Sequence, residues 1–177
     1  ICYDNEAYGN TGMQLSPATP YGARTATSPC SLQHPSGASQ EKKDIFEIWR
    51  AHKPPYIATV APRYPLDLEE KFARAAAFTG PKMFLALAAC PTGWLYDPGE
   101  TPEVAKLAVE TGLWPLKEAI NGVVTHTYVP KRKPVEAYLK LQGRFRHLFE
   151  PAVQADAIQH IQTRVDAYWE RATREGS

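Results

Sequence analysis

An α/β fold built on a parallel sheet is predicted by three features of this sequence. Two short apolar runs, Tyr56–Val60 and Met83–Ala89, have the length and character of buried strands. Between them Leu66–Phe78 places Leu68, Phe72, Ala75 and Ala76 on one helical face. Pro54-Pro55 and Gly80-Pro81 cut the three segments apart, and strand, helix, strand with short connections reads as a crossover unit.

The other elements follow in order. Ile1–Ser39 is rich in Gly, Pro, Ser, Thr and Asn and reads as a long loop after a strand already under way at Ile1. So long a segment without periodicity inside a domain is often functional. Lys42–His52 carries Ile45, Ile48 and Trp49 at helical spacing. Beyond Thr101 the pattern loosens: a short helix over 102–110, a strand over 123–128, a helix over 134–141, and an amphipathic helix over 151–171. The last has Val153, Ala157, Ile161, Val165 and Tyr168 on its apolar stripe, facing this core or a neighbouring subunit.

Composition narrows the function. With 177 residues the chain can bury one core. A net charge of +1 gives no basic stripe, so neither nucleic acid nor an acidic membrane surface is an expected partner. The run Lys131-Arg132-Lys133 lies between prolines and reads as a solvated loop. No apolar run reaches the roughly 18 residues of a bilayer span. Three separated cysteines, Cys2, Cys30 and Cys90, form neither a disulfide framework nor a C-x-x-C pair, which suits a reducing cytoplasm. The start at Ile1, without methionine, leads us to expect further chain upstream. His34, His52, His126, His147 and His160 have no metal-like spacing and read as surface or core positions.

The densest polar cluster, Asp4 to Gln14, directly follows the first strand. Ligands of open α/β sheets gather at the carboxyl ends of strands, so this loop and the loop at Cys90 are expected to face one crevice. Mg²⁺ takes oxygen ligands and usually shares them with phosphates. The side chain of Asn5 and a carbonyl two residues later offer two such oxygens, and Gly9 and Gly12 permit close approach to a diphosphate. On spacing alone the same residues serve equally as a structural Asn/Gly turn, and a lone Cys90 as a small buried apolar group.

Several motifs in sequence break that tie. Tyr3-Asp4-Asn5-Glu6-Ala7-Tyr8, Asn10-Thr11-Gly12, Gln14 and Ala18-Thr19-Pro20-Tyr21-Gly22-Ala23 come first. Cys90-Pro91-Thr92-Gly93-Trp94, Glu110-Thr111-Gly112-Leu113-Trp114-Pro115-Leu116, Pro134-Val135-Glu136-Ala137-Tyr138-Leu139-Lys140 and Gln142-Gly143-Arg144-Phe145 follow. This series closely resembles the β subunit of pyruvate:ferredoxin oxidoreductases, over about Ile1 to Phe149. The resemblance implies a partial thiamine-diphosphate-binding fold. Residues 1–100 would be the C-terminal part of the thiamine-diphosphate-binding domain and 101–177 a C-terminal helical appendage.

The resemblance also implies site residues. Asn5 and the carbonyl of Ala7 would ligate Mg²⁺, Asn10 would lie beside the cofactor and the 2-oxoacid, and Thr11 and Gln14 would help hold the diphosphate or substrate. Cys90 would be one ligand of a 4Fe-4S cluster. The family's G-D-G metal motif and its three other cluster cysteines are absent, so the upstream half of the subunit is an implied partner, with the other oxidoreductase subunits. The implied activity is oxidative decarboxylation of a 2-oxoacid, pyruvate first, to the acyl-coenzyme A, with electrons passed through 4Fe-4S clusters to ferredoxin or a similar acceptor. The alternatives are the same chemistry on phenylglyoxylate, a branched-chain 2-oxoacid or oxalate, and a non-catalytic structural subunit.

Overall fold

The two runs read as buried strands are β2 (Tyr56–Val60) and β3 (Lys82–Leu87), parallel and joined through helix α2 (Pro65–Ala76) in the computed structural model, which describes residues 1–31 and 35–175. Pro65 opens α2, where a missing N–H leaves no hydrogen bond broken. The short strand β1 (Cys2–Asp4) lies parallel to β3 on its other side. Helix α1 (Ile45–Ala51) precedes β2 and is capped by Asp44, whose carboxylate accepts the Glu47 N–H at 3.0 Å. Phe46 is its buried residue, whereas Ile48, expected on the apolar face, is 43% exposed.

The strand expected over 123–128 is present, and the segment after residue 100, otherwise read as a helical appendage, contributes a second, unexpected strand before it to this sheet. α3 (Pro91–Trp94) and α4 (Thr101–Glu110) lead to β4 (Leu116–Ile120) and β5 (Val123–Tyr128). β4 runs antiparallel to β2 and β5 antiparallel to β4, so the order β1-β3-β2-β4-β5 makes a mixed sheet rather than a purely parallel one. Asn121 and Gly122, both at positive φ, form the two-residue turn between β4 and β5. The polar pair inside β4 is accommodated individually. Lys117 lies 4.2 Å over the Phe46 ring and 3.7 Å from Glu47, and Glu118 accepts from Tyr56 Oη at 2.5 Å and pairs with Arg74 at 3.1 Å.

One face of the sheet, through Tyr56, Ala58, Val60 and Phe84, packs on Ala75 of α2. Lys71 of α2 is wholly buried there, donating to Asp67 at 2.7 Å and to the Thr59 carbonyl at 2.9 Å. The opposite face, through Leu85, Leu87 and Leu116, meets α4, the short helix α5 (Glu136–Leu139) and α6 (Ala155–Glu175) in one continuous core. Ala157, Ile158, Ile161, Val165 and Trp169 are buried residues of α6, so that helix packs on its own chain, while Val153 lies before it and is exposed. No helix among the described residues is long and apolar enough to cross a membrane.

Gly112 fixes how α6 docks. It sits at φ +81°, its carbonyl accepts from Trp169 Nε1 at 3.1 Å, and a Cβ there would lie 2.3 Å from that nitrogen. Gly112→Ala therefore forces both a disfavoured backbone and a clash. We expect a loss of about 2–4 kcal/mol in urea unfolding; a loss under about 0.5 kcal/mol would contradict this role for Gly112.

Candidate functional site

The chain leaves the sheet at Asp4, whose carbonyl takes the last ladder bond from Ala88 N–H at 3.0 Å. It then turns within three residues. Asp4 Oδ1 accepts from Glu6 N–H at 2.9 Å, Asn5 Oδ1 accepts from Ala7 N–H at 3.3 Å, and Glu6 takes a left-handed φ of 62°. Such a conformation in a non-glycine residue costs on the order of 1 kcal/mol and persists only where surroundings enforce it.

Here the surroundings are charges. Glu6 Oε1 is 2.6 Å from Lys42 Nζ and Glu6 Oε2 is 2.6 Å from an Arg144 nitrogen, while Lys42 also reaches Asp4 Oδ2 at 2.8 Å. The side chains of Glu6, Asp4 and Arg144 are 7%, 2% and 3% exposed and that of Lys42 26%, so the Glu6–Arg144 pair works away from water and the Lys42 pairs lie at its edge. Arg144 also donates to Gln142 Oε1 at 2.8 Å, and Thr19 Oγ1 donates to the Glu6 carbonyl at 2.7 Å. Residues from 4 to 144 thus converge on one turn.

Past Ala7 the chain makes a small hairpin. Tyr8 and Gln14 exchange main-chain bonds of 3.0 and 3.3 Å, and Gly12 N–H donates to the Gly9 carbonyl at 3.1 Å. Thr11 Oγ1 donates to Gln14 Oε1 and Gln14 Nε2 donates back to the Thr11 carbonyl at 2.6 Å, so these two expected ligand residues close the hairpin on each other. Asn10 and Thr11 stand exposed at its tip. Gly9 is required by proximity: a Cβ would lie 2.6 Å from Asn5 Nδ2.

The second loop follows β3. Cys90 caps α3, its Sγ accepting from Gly93 N–H at 3.4 Å and its carbonyl from Trp94 N–H at 2.8 Å. Trp94 is fully buried, and its Nε1 donates to the Asn5 carbonyl at 3.0 Å. Met13 lies so close to Gly93 that a Cβ on the glycine would sit 2.4 Å from the Met13 sulfur. The loop after β1 and the loop at Cys90 are therefore brought together at the carboxyl ends of two neighbouring parallel strands. Lys42, Arg144, Trp94 and Met13, which hold this arrangement, carried no role in the sequence reading. Trp94 and Arg144 stand inside the motifs quoted above, but nothing local marks them as partners of Glu6 and Asn5.

The residues present offer part of each group that the sequence suggests. Asn5 Oδ1 and the Ala7 carbonyl are neutral oxygens in one turn, suited to Mg²⁺. The nearby acids Asp4 and Glu6 are committed to Lys42 and Arg144, so a charged ligand has to come from other residues. Cys90 offers one sulfur already hydrogen-bonded by an amide, and a cluster needs further ligands. Among the described residues no group of three or more His, Cys, Asp or Glu side chains could hold a metal by itself. Cys2 packs against the main core and Cys30 is half-buried. His160 meets Glu41 at 2.6 Å, His126 meets Tyr168 Oη at 2.7 Å, His147 is part-buried and His52 exposed; His34 lies outside the described residues.

Burial is the largest influence on Glu6 and pushes its carboxyl up, but Lys42 and Arg144 outweigh it and hold it below the usual 4.5. Its contribution to stability is thus present above pH 4.5 and lost as pH falls through the lowered value. For Lys42, burial pulls the ammonium down while Glu6 and Asp4 outweigh it, so its share is complete below 10.5 and lost at higher pH. Asp4 goes the other way, since burial outweighs the nearby Lys42 and raises its carboxyl. Glu6, with two cationic partners, is therefore the stabilising acid of the pair. Glu6→Gln leaves the Arg144 guanidinium buried without its counter-charge. The expected cost is about 3–5 kcal/mol at pH 7, with a flatter fall in stability below pH 4.5; an unchanged acid limb in unfolding titrations would contradict the assignment.

No family model matches the chain, but curated relatives do. It is 47% identical over 167 residues to pyruvate synthase subunit PorB of Methanocaldococcus jannaschii, covering 94% of this chain and 54% of that protein. It is 40% identical to PorB of Pyrococcus furiosus, covering 96% of this chain and 56% of the relative. Ketoisovalerate oxidoreductase subunit VorB of Pyrococcus abyssi is 41% identical, with 97% and 54% covered. The chain spans about half the length of the curated relatives it matches. By its ordered motifs and by this identity along nearly all its length, the chain belongs to the PorB-type β subunits of the 2-oxoacid:ferredoxin oxidoreductases.

Proposed function

We propose that this chain supplies one half of a thiamine-diphosphate site in an enzyme that oxidatively decarboxylates a 2-oxoacid, pyruvate foremost, to its acyl-coenzyme A. The electrons would pass through a 4Fe-4S cluster to ferredoxin or a similar acceptor. The observation that carries this reading is the meeting of the Asn5 turn with the Cys90 turn, joined by the 3.0 Å bond from Trp94 Nε1 to the Asn5 carbonyl. Oxygen donors for a metal diphosphate and a thiol for a cluster then share one end of the sheet.

Asn5 Oδ1 and the Ala7 carbonyl would hold Mg²⁺, with Thr11 and Gln14 beside the diphosphate, and Gly9 lets the main chain stay close to Asn5. When bound, thiamine diphosphate supplies the carbanion chemistry that lets a 2-oxoacid lose carbon dioxide, and a 4Fe-4S cluster supplies one-electron transfer. Asn10, exposed at the hairpin tip, would donate an amide N–H to the substrate oxygen on which negative charge develops. A neutral donor suits this task because it needs no proton transfer of its own. Cys90 would bind the cluster as a thiolate whose charge is already met by the Gly93 N–H. The upstream half of the subunit and the other subunits complete the site, in a cytoplasm that keeps the three free cysteines reduced. Because a ketoisovalerate oxidoreductase subunit is 41% identical, a branched-chain 2-oxoacid is the second reading.

The test is a viologen-linked oxidation assay of the intact native complex against a panel of 2-oxoacids, with coenzyme A present or omitted. Pyruvate turnover that requires coenzyme A is the expected result; activity only on a branched-chain acid selects the second reading, and no turnover with any acid makes this a structural subunit. In the same complex Asn10→Ala should lower kcat by about 10²-fold while thiamine diphosphate affinity changes by less than about twofold. Equal losses in both would contradict the role given to Asn10.

A further inference from the structure

Trp94 touches both halves of the proposed site at once. Through its main chain it closes the Cys90 turn, donating to the Cys90 carbonyl at 2.8 Å. Through its side chain it donates to the Asn5 carbonyl at 3.0 Å, across 89 positions of sequence. Its ring is fully buried, so the indole cannot exchange this partner for water. The Arg144 guanidinium stacks on the ring at 3.9 Å and is itself fixed by its 2.6 Å pair with Glu6, the residue after Asn5. The chain just past α3 is pinned too: Leu95 takes a left-handed φ of 60°, and its carbonyl accepts from Gly143 N–H at 2.9 Å. A Cβ on Gly143 would lie 2.7 Å from the Leu95 Cβ, which leaves this strap next to Arg144 no room to shift.

These contacts form a closed ring: Asn5 to Trp94, Trp94 to Arg144, Arg144 to Glu6, and Glu6 to Asn5 through the chain. Each link is short-range, and Trp94, Arg144 and Glu6 are buried. A side chain that only filled the core needs neither the indole N–H nor the stacked cation. We propose that Trp94 is a positioning residue that locks the Asn5 metal turn to the Cys90 cluster turn, so that the two move as one rigid unit. The proposal rests on the functional reading given above and adds to it the device that fixes the distance between the electron source and the first acceptor. Removing the indole N–H takes away the bond at the carbonyl end of the Asn5–Glu6 peptide, whose Glu6 N–H stays on Asp4 Oδ1, so the Asn5 turn loosens at that end, while the Cys90 turn keeps its own bonds from Gly93 and the main chain of residue 94. The two half-sites then respond differently to the same substitution, which a general loss of packing does not produce.

The test uses the intact oxidoreductase with Trp94→Phe in its full-length subunit, measuring thiamine diphosphate affinity at saturating Mg²⁺ and the intensity of the reduced-cluster EPR signal. We expect affinity to fall about five- to tenfold, the worth of one buried hydrogen bond, with the cluster signal at full intensity. Arg144→Lys, which keeps a charge beside Glu6 but removes the planar group from the ring, should weaken affinity in the same direction by about two- to threefold. It serves as the check if Trp94→Phe does not fold. Wild-type binding with unchanged affinity in the folded variants overturns the lock and leaves the functional reading standing. Parallel loss of cluster signal and affinity also overturns it, in favour of a packing role. A wild-type complex that binds no thiamine diphosphate overturns both.

Discussion

The buried carboxylate of Glu6 organises this end of the molecule. It holds a left-handed backbone that glycine would adopt more readily, and two cations from distant parts of the chain reward that conformation. Lys42 comes from the segment leading into α1 and Arg144 from the strap after α5, so a single side chain ties the loop after β1 to both. Substituting glycine would relieve the backbone and lose both ion pairs, which is the poorer exchange in a site so far removed from water.

What this anchoring achieves is order in a segment whose described residues have almost no regular structure. From residue 5 to the start of α1, bonds from Thr19, Thr27, Gln40 and Gln14 side chains do the work that ladder bonds do in a strand. The tip of the 8–14 hairpin is left exposed, with Asn10 at its end, while its base is fixed by Gly9 against Asn5 and Met13 against Gly93. An exposed tip on a rigid base is the form expected of a loop that completes its site with groups from elsewhere. The cavity of about 320 Å³ between α1, the turn before β4 and α6 lies behind this network, bordered by Lys42, Trp114 and Tyr168, and its walls include neither Asn10 nor Cys90.

Much of the fold was legible. The apolar runs of β2 and β3, the breaks at Pro54-Pro55 and Gly80-Pro81, and the stripe of α6 all obey burial periodicity, and the structure has those elements within a few residues. β4 was hidden because Lys117 and Glu118 interrupt its apolar run, yet both are buried, each matched to aromatic or charged partners distant in sequence. Asn121-Gly122 was the available signal, a strong two-residue hairpin turn that points back to a strand before it. Ile48 was expected inside because its spacing suited a helix, but it is exposed, while Phe46 is buried and Ile45 and Trp49 pack partly buried beside it. In the site, the motifs located the two loops and the strand-end rule placed them in one crevice. The bonds that join them were not legible, since pairs such as Glu6 with Arg144 are 138 positions apart and no local pattern records them.

On this reading the Glu6–Arg144 pair acts as a unit rather than as two independently tolerated buried charges. A double-mutant cycle with Glu6→Gln, Arg144→Gln and the double substitution, read as urea unfolding free energies at pH 7, tests it most directly. A coupling energy of about 3–5 kcal/mol, with the double variant scarcely less stable than either single one, is the predicted result. Additive losses, with coupling near zero, would contradict the account.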